Sequence, residues 1–184
     1  MDAVGNDLVW LGDPANQGRH RDARLLGRIL CSDERRFVET AEEPHRALWS
    51  LWAAKEAAYK AHARTRPGSV FSPIAYRVVV GESSLVWHED EEIPVDWTHG
   101  PDWLHAVAGE NPAAIITRVK SSPPLETASS ALRALAVLTF CEAGWPPGTV
   151  EGRPPEYWVA NRAVALPFSL SHDGPYLAVA FRSL

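Results

Sequence analysis

Residues 44–64 carry the longest helical pattern in the chain, and it constrains the fold more than any other segment. Pro44 stands near its start, and Leu48, Leu51, Trp52, Ala58 and Tyr59 recur at three- and four-residue steps. The stretch from Arg64 to Gly68, with Pro67 inside it, ends the pattern. A single apolar stripe of this length has to be covered by a sheet or by other helices.

The flanking sequence supplies such partners. Residues 3–11 are apolar and β-prone with a polar interruption at Gly5-Asn6-Asp7, which reads as a strand carrying one acidic side chain. Residues 21–40 are helical in spacing (Leu25, Leu26, Ile29, Leu30 and Phe37), with a break and new N-cap at Ser32-Asp33. Strands are expected over 74–80, 84–88 and 103–108, with 113–119 closing the same sheet. The cluster Ser121-Ser122-Pro123-Pro124 marks a linker. A helix over 127–143 follows, with Gly144 at its C′ position, and then strands over 164–171 and 176–182. The fold class is therefore α+β, laid out as two α+β units of unequal length: residues 1–119, a linker at 120–124, and residues 125–184. No repeat is visible residue by residue.

Bulk properties narrow the function classes. A chain of 184 residues fits one domain, or two small halves packed together. The net charge of −5 excludes general nucleic-acid binding through counterion release. Charge is nevertheless uneven, because Arg19, Arg21, Arg24, Arg28, Arg35 and Arg36 cluster early and Glu89-Asp90-Glu91-Glu92 is acidic. The basic cluster suits an acidic protein partner or a polyphosphate, or is a solvated helix face. Eight Trp belong in the core or on crevice walls. Cys31 and Cys141 have no partner at metal-ligand spacing, which favours a reducing cytoplasm. No stretch reaches about 18 apolar residues, so no membrane association is expected.

Three places carry candidate chemistry. Glu56 and Lys60 are one helical turn apart, about 6 Å along the axis. They are either a surface ion pair, or a ligand for a hard cation beside a contact for phosphate. Asp7 lies among Val4, Leu8 and Val9, so it points outward at a strand end or meets a cation. Ser171-His172 follows an apolar strand beside a glycine turn, where it either holds a phosphate or caps its own backbone. A Ser-His-Asp hydrolase triad does not fit, since Ser171, His172 and Asp173 are consecutive and their side chains diverge.

Together these segments resemble the 4′-phosphopantetheinyl transferase superfamily. Val4-Gly5-Asn6-Asp7-Leu8-Val9 is similar to its Gly-x-Asp strand, and Trp52-Ala53-Ala54-Lys55-Glu56-Ala57-Ala58-Tyr59-Lys60 matches its Trp-x-x-Lys-Glu-Ala-x-x-Lys helix. Residues 167–174 resemble its Ser-His strand. Residues 81–102 and 144–162 match poorly. The resemblance implies a 4′-phosphopantetheinyl transferase-like fold of two pseudo-repeated halves, with antiparallel sheets packed by long helices. Residues 1–119 are then the metal-binding half and 125–184 a shortened Ser-His half.

The implied activity moves the 4′-phosphopantetheine of coenzyme A onto a serine of an acyl or peptidyl carrier protein and releases adenosine 3′,5′-bisphosphate. By the resemblance, Asp7 and Glu56 hold Mg²⁺, and Glu56 accepts the serine proton. Lys60 steadies the leaving group and Lys55 assists. Ser171 and His172 contact coenzyme A, with Arg153 standing in for a family lysine. Arg19, Arg21, Arg24 and Arg28 face the acidic carrier.

Two features depart from the family pattern. Val9 stands where many pseudo-dimeric relatives have a second acid. The Ser-His half also follows the metal half here, which resembles a circular permutation, or an enlarged version of the short trimeric type. The expected state is a monomer, with a trimer as the alternative. Competing readings are an inactive coenzyme A or carrier-binding module of the same fold, and a small structural α+β domain.

Overall fold

A computed structural model describes residues 3–81, 83–121 and 128–182. Among these, strand β1 (Gly5–Trp10) leads through two short helices, α1 (Ala23–Ile29) and α2 (Ser32–Thr40), to the long helix α3 (Pro44–Thr65). Strands β2 (Arg77–Val79), β3 (Leu85–His88), β4 (Glu91–His99) and β5 (Trp103–Ala108) follow, then β6 (Ile116–Ser121) and helix α4 (Ala128–Glu142). The chain ends with β7 (Thr149–Glu151), β8 (Glu156–Val159), β9 (Arg162–Val164), β10 (Phe168–Asp173) and β11 (Tyr176–Phe181). The fold is α+β. No helix among the described residues is long and apolar enough to cross a membrane.

The first sheet has the order β1-β5-β4-β3-β2, antiparallel throughout. Helix α3 lies on one face of it and buries Ala47, Leu48, Leu51, Ala54, Ala57, Ala58 and Ala61 against Val9, Leu104 and Ala106. The alanines on this stripe let helix and strand approach closely. A Cβ added at Gly5 would lie 1.9 Å from the Ala57 carbonyl oxygen and 2.6 Å from the Ala61 nitrogen. Only glycine fits there.

The second sheet, β10-β11-β6, is also antiparallel, and α4 covers it through Leu132, Leu135, Ala136 and Phe140. Gly144 follows that helix at φ +91. A small third sheet, β7-β8-β9, packs Val150 and Tyr157 against the same core.

Several expected elements come out differently. The strand expected at 113–119 does not close the first sheet, because β6 pairs with β11 from Ile116↔Phe181 to Ser121↔Tyr176. Lys120 and Ser121 therefore belong to a strand rather than a linker, and 122–124 lie outside the described residues. Strand β4 begins within the acidic stretch: Ile93, Val95 and Trp97 alternate and pack on the α3 core, Glu92 and Asp96 alternate to the other side, and Glu91 pairs with Arg66 just beyond α3. The break before α2 occurs as expected. There the buried Glu34 carboxylate accepts from the Cys31 N–H at 2.8 Å.

Candidate active site at the junction of the two sheets

Strand β1 ends the first sheet, so one of its edges has no ladder partner and its N–H groups need other acceptors. The second sheet supplies them. Asn6 N–H donates to Ser169 Oγ at 3.0 Å, and Trp10 N–H donates to Asp173 Oδ2 at 2.8 Å. The junction of the halves is thus a strand edge closed by side chains, backed by an apolar contact of Val4, Val107, Ile115 and Ala180.

Alternation along β1 turns Gly5, Asp7 and Val9 towards α3. Lys60 Nζ donates to Asp7 Oδ1 at 2.7 Å and to the Asn6 carbonyl at 3.0 Å. Lys60 therefore pairs across elements with Asp7. Glu56 lies one turn earlier on the same helix face. Burial, together with the nearby Asp7 charge, pushes its carboxyl up to about 7 against the opposing pull of Lys60. Burial also raises the Asp7 carboxyl. Lys60 offsets part of that rise and the charge of Asp173 adds to it.

Acidic side chains thus converge around a single ammonium in a half-buried crevice. Hard oxygen donors with excess negative charge fit Mg²⁺, which takes one or two carboxylates and fills its shell with water and substrate oxygens. Among the described residues no three His, Cys, Asp or Glu side chains form a metal-binding group.

The other expected residues are dispersed. Lys55 does not reach the site. Its Nζ is fully buried, 2.8 Å from Glu34, and donates to the carbonyls of Pro73 and Tyr76 at 3.0 and 2.5 Å. One residue along a helix rotates a side chain by about 100°, so Lys55 anchors α3 to α2 and β2 while Glu56 faces the crevice. Ser171 and His172 fall on opposite faces of β10. Ser171 is buried and faces the edge of β1, whereas His172 is exposed. The geometry therefore does not offer Ser171 to a ligand as the sequence pattern implied. Arg153 is exposed in the turn between β7 and β8. Arg19, Arg21, Arg24 and Arg28 are exposed on and just before α1.

Sequence reasoning missed three contributors. Arg64, one turn beyond Lys60, donates to the Pro155 and Phe168 carbonyls at 2.9 and 3.2 Å and ties α3 to the second half. It also lines a cavity of about 270 Å³ with Val4, Pro155, Val164, Pro167 and Phe168. Its spacing after Glu56 and Lys60, at i+8 and i+4, was the available signal. Asp173 acts on β1 as described above. His105, 1% exposed, stands 2.9 Å from Asn6 Nδ2, and burial together with the Lys60 charge lowers its pKa to about 4, which leaves it neutral. Larger open clefts of about 560 and 580 Å³ lie elsewhere, and neither is lined by Asp7, Glu56 or Lys60.

Comparison with known proteins places this geometry in context. No curated protein matches the chain. Among solved structures it is similar to holo-[acyl-carrier-protein] synthase (AcpS) from Neisseria meningitidis, at 18% identity and a TM-score of 0.46, over 60% of this chain and 100% of that one. The family model of the 4′-phosphopantetheinyl transferase superfamily matches residues 3–108, more than half of the sequence, and this span contains β1, α3 and all three of Asp7, Glu56 and Lys60. The chain belongs to the 4′-phosphopantetheinyl transferase superfamily.

Proposed function

We propose that the protein transfers the 4′-phosphopantetheine of coenzyme A to a serine hydroxyl of an acyl or peptidyl carrier protein, with Mg²⁺ held by Asp7 and Glu56. The observation that carries this reading is the convergence of Asp7 from β1 with Glu56 and Lys60 from α3, where Lys60 pairs with Asp7 and the Asp7 charge raises the proton affinity of Glu56.

In this reading the serine oxygen bonds to the β-phosphorus of coenzyme A. The bond from that phosphorus to the bridging oxygen breaks, and adenosine 3′,5′-bisphosphate leaves. Bound Mg²⁺ would supply charge neutralisation of the pyrophosphate. Glu56 is suited to accept the serine proton, because a carboxyl near 7 matches the operating pH of a general base. Lys60 offers its ammonium to the leaving phosphate, and phosphoryl transfer depends chiefly on such positioned charge. One turn beyond Lys60, Arg64 and the cavity it lines can receive one end of coenzyme A, with Arg153 as an exposed cation and His172 as an exposed imidazole for its phosphates. The exposed arginines at 19, 21, 24 and 28 suit an acidic carrier surface.

On this view a metal-binding half (residues 1–119) and a Ser-His half (125–184) meet along β1 and β10, with β6 contributed across the boundary. One chain then builds the whole site, which favours a monomer over a trimer.

The test is a panel of apo carriers incubated with coenzyme A and Mg²⁺ and read by intact mass. The reading expects at least one carrier to gain the phosphopantetheine mass, and chelation or Asp7→Asn to abolish the gain. Coenzyme A or carrier binding without any transfer would support the inactive binding module instead.

A further inference from the structure

Asn6 is tied to three other elements at once, and one of the ties reaches Lys60. In an antiparallel strand the N–H and C=O of one residue point to the same side. At Asn6 both meet groups outside the ladder: the N–H donates to Ser169 Oγ at 3.0 Å, and the carbonyl accepts from Lys60 Nζ at 3.0 Å. The third tie is the side chain, whose Nδ2 donates to His105 Nε2 at 2.9 Å on the neighbouring strand β5. Asn6 stands opposite Val107, so His105 is its diagonal neighbour, within side-chain reach. Both side chains are fully buried. An amide nitrogen only donates, so His105 Nε2 accepts and the ring carries its proton on Nδ1.

Lys60 depends on such ties, because holding a long and flexible side chain in one geometry costs rotamer entropy. Two of its three N–H groups are used, one by the Asn6 carbonyl and one by Asp7 Oδ1, which leaves one for a ligand. Of these two acceptors, Asp7 is shared with the proposed cation, whereas the Asn6 carbonyl serves Lys60. The Asn6–His105 pair is itself a poor source of stability. Asn6 Oδ1 and His105 Nδ1 are buried without a hydrogen-bond partner among the described residues. Incompletely paired polar groups in a core are no more stable than apolar groups of the same shape.

We propose that Asn6 and His105 are a positioning pair for Lys60: the buried amide–imidazole bond fixes the Asn6 peptide so that its carbonyl holds the Lys60 ammonium at the crevice. Neither residue touches substrate, and both act through Lys60. This inference rests on the reading of the crevice as the transfer site, with Lys60 beside the leaving phosphate.

The test is a double-mutant cycle on carrier loading by the full chain, with Mg²⁺, saturating coenzyme A and varied carrier. The paired variant Asn6→Val/His105→Leu exchanges the polar bond for an apolar contact. It should lower kcat about tenfold, as when a charged group is displaced within a site. KM for the carrier should not change, and the urea midpoint should equal or exceed that of wild type. In a Lys60→Met background the same two substitutions should change kcat by less than about twofold, because the residue they act through is gone. His105→Gln keeps an amide to meet Asn6 and should stay within about threefold of wild type, whereas His105→Leu should match the paired variant.

Equal losses in the two backgrounds would show that the pair acts apart from Lys60, which overturns the inference. Unchanged kcat in the paired variant, with loading slowed by Lys60→Met, overturns it as well and leaves the transfer reading standing. So does a His105→Gln loss as large as that of His105→Leu. If wild type loads no carrier, the transfer reading falls and takes this inference with it. Should the paired variant not fold, His105→Leu alone, crossed with Lys60→Met, carries the same expectation.

Discussion

Lys60 Nζ sits 2.7 Å from Asp7 Oδ1, joining the middle of the long helix to the first strand across 53 residues of sequence. The pair is partly open, with side chains 30% and 13% exposed, so it is accessible to a ligand as a buried structural pair would not be. Lys55, five residues earlier on the same helix, provides the contrast, because its ion pair with Glu34 is fully enclosed. One helix therefore carries one lysine enclosed on its inner side and another whose ion pair stays partly open.

That contrast predicts separable effects. Lys55→Met leaves the Glu34 carboxylate buried without its cation and should cost about 3–5 kcal/mol of stability. Below its melting range the variant should retain carrier loading, because Lys55 lies away from the crevice. Urea unfolding together with a loading assay checks both parts. Normal stability with weakened coenzyme A binding would show that Lys55 contacts substrate.

Glu56→Gln should fold and lose carrier loading by about 10²-fold or more, as expected when a group acting as both base and cation ligand is removed. Steady-state loading rates at saturating coenzyme A and carrier measure it. A loss of less than about threefold would assign Glu56 to structure.

Titration of two buried groups should give opposite signatures in stability. Glu56 has a folded value of about 7 against an ordinary 4.5, so the native state holds its proton more tightly and stability falls as pH rises through that window. His105 has a folded value of about 4 against 6.5, so the unfolded chain binds the extra proton and stability rises with pH from 4 to 6.5. Relative to wild type, Glu56→Gln should therefore gain stability between pH 4.5 and 7. The deficit of His105→Gln should grow between pH 4 and 6.5. Each difference is at most about 3 kcal/mol. Urea midpoints at a series of pH values, in chelator, give both differences.

Gly5→Ala should destabilise the protein by about 2–3 kcal/mol, because its Cβ would collide with the backbone of α3 at Ala57 and Ala61 and neither can yield without moving the helix. Loading activity should fall as well, since the shift that relieves the collision separates Asp7 from Glu56. Denaturant unfolding and the loading assay, run on one preparation, report the two effects.

Charge reversal at Arg24 and Arg28, exposed four residues apart on α1, should raise KM for an acidic carrier about tenfold with little change in kcat or in coenzyme A binding. The effect should shrink as salt rises, because surface charges are screened over about 10 Å at 0.1 M. Equal loss at every salt concentration would place these arginines outside the carrier surface.

The amino-acid sequence alone determined the local features: the helix over Pro44–Thr65, the strand bearing Asp7, the break before α2, and the motif that places Glu56 and Lys60 one turn apart. These follow from period, capping and breakers, all carried by residues near one another in the chain. Tertiary structure alone decided that β6 leaves the first sheet for β11, that Lys55 turns inward to Glu34, and that Ser171 and His172 part to opposite faces. A strand pattern states that a segment will pair but not with which edge. A helix pattern likewise does not say which polar side chain the surrounding elements will enclose. Those choices are made by contacts between residues distant in sequence, such as Glu34 with Lys55 and Ser169 with Asn6, which no local window contains.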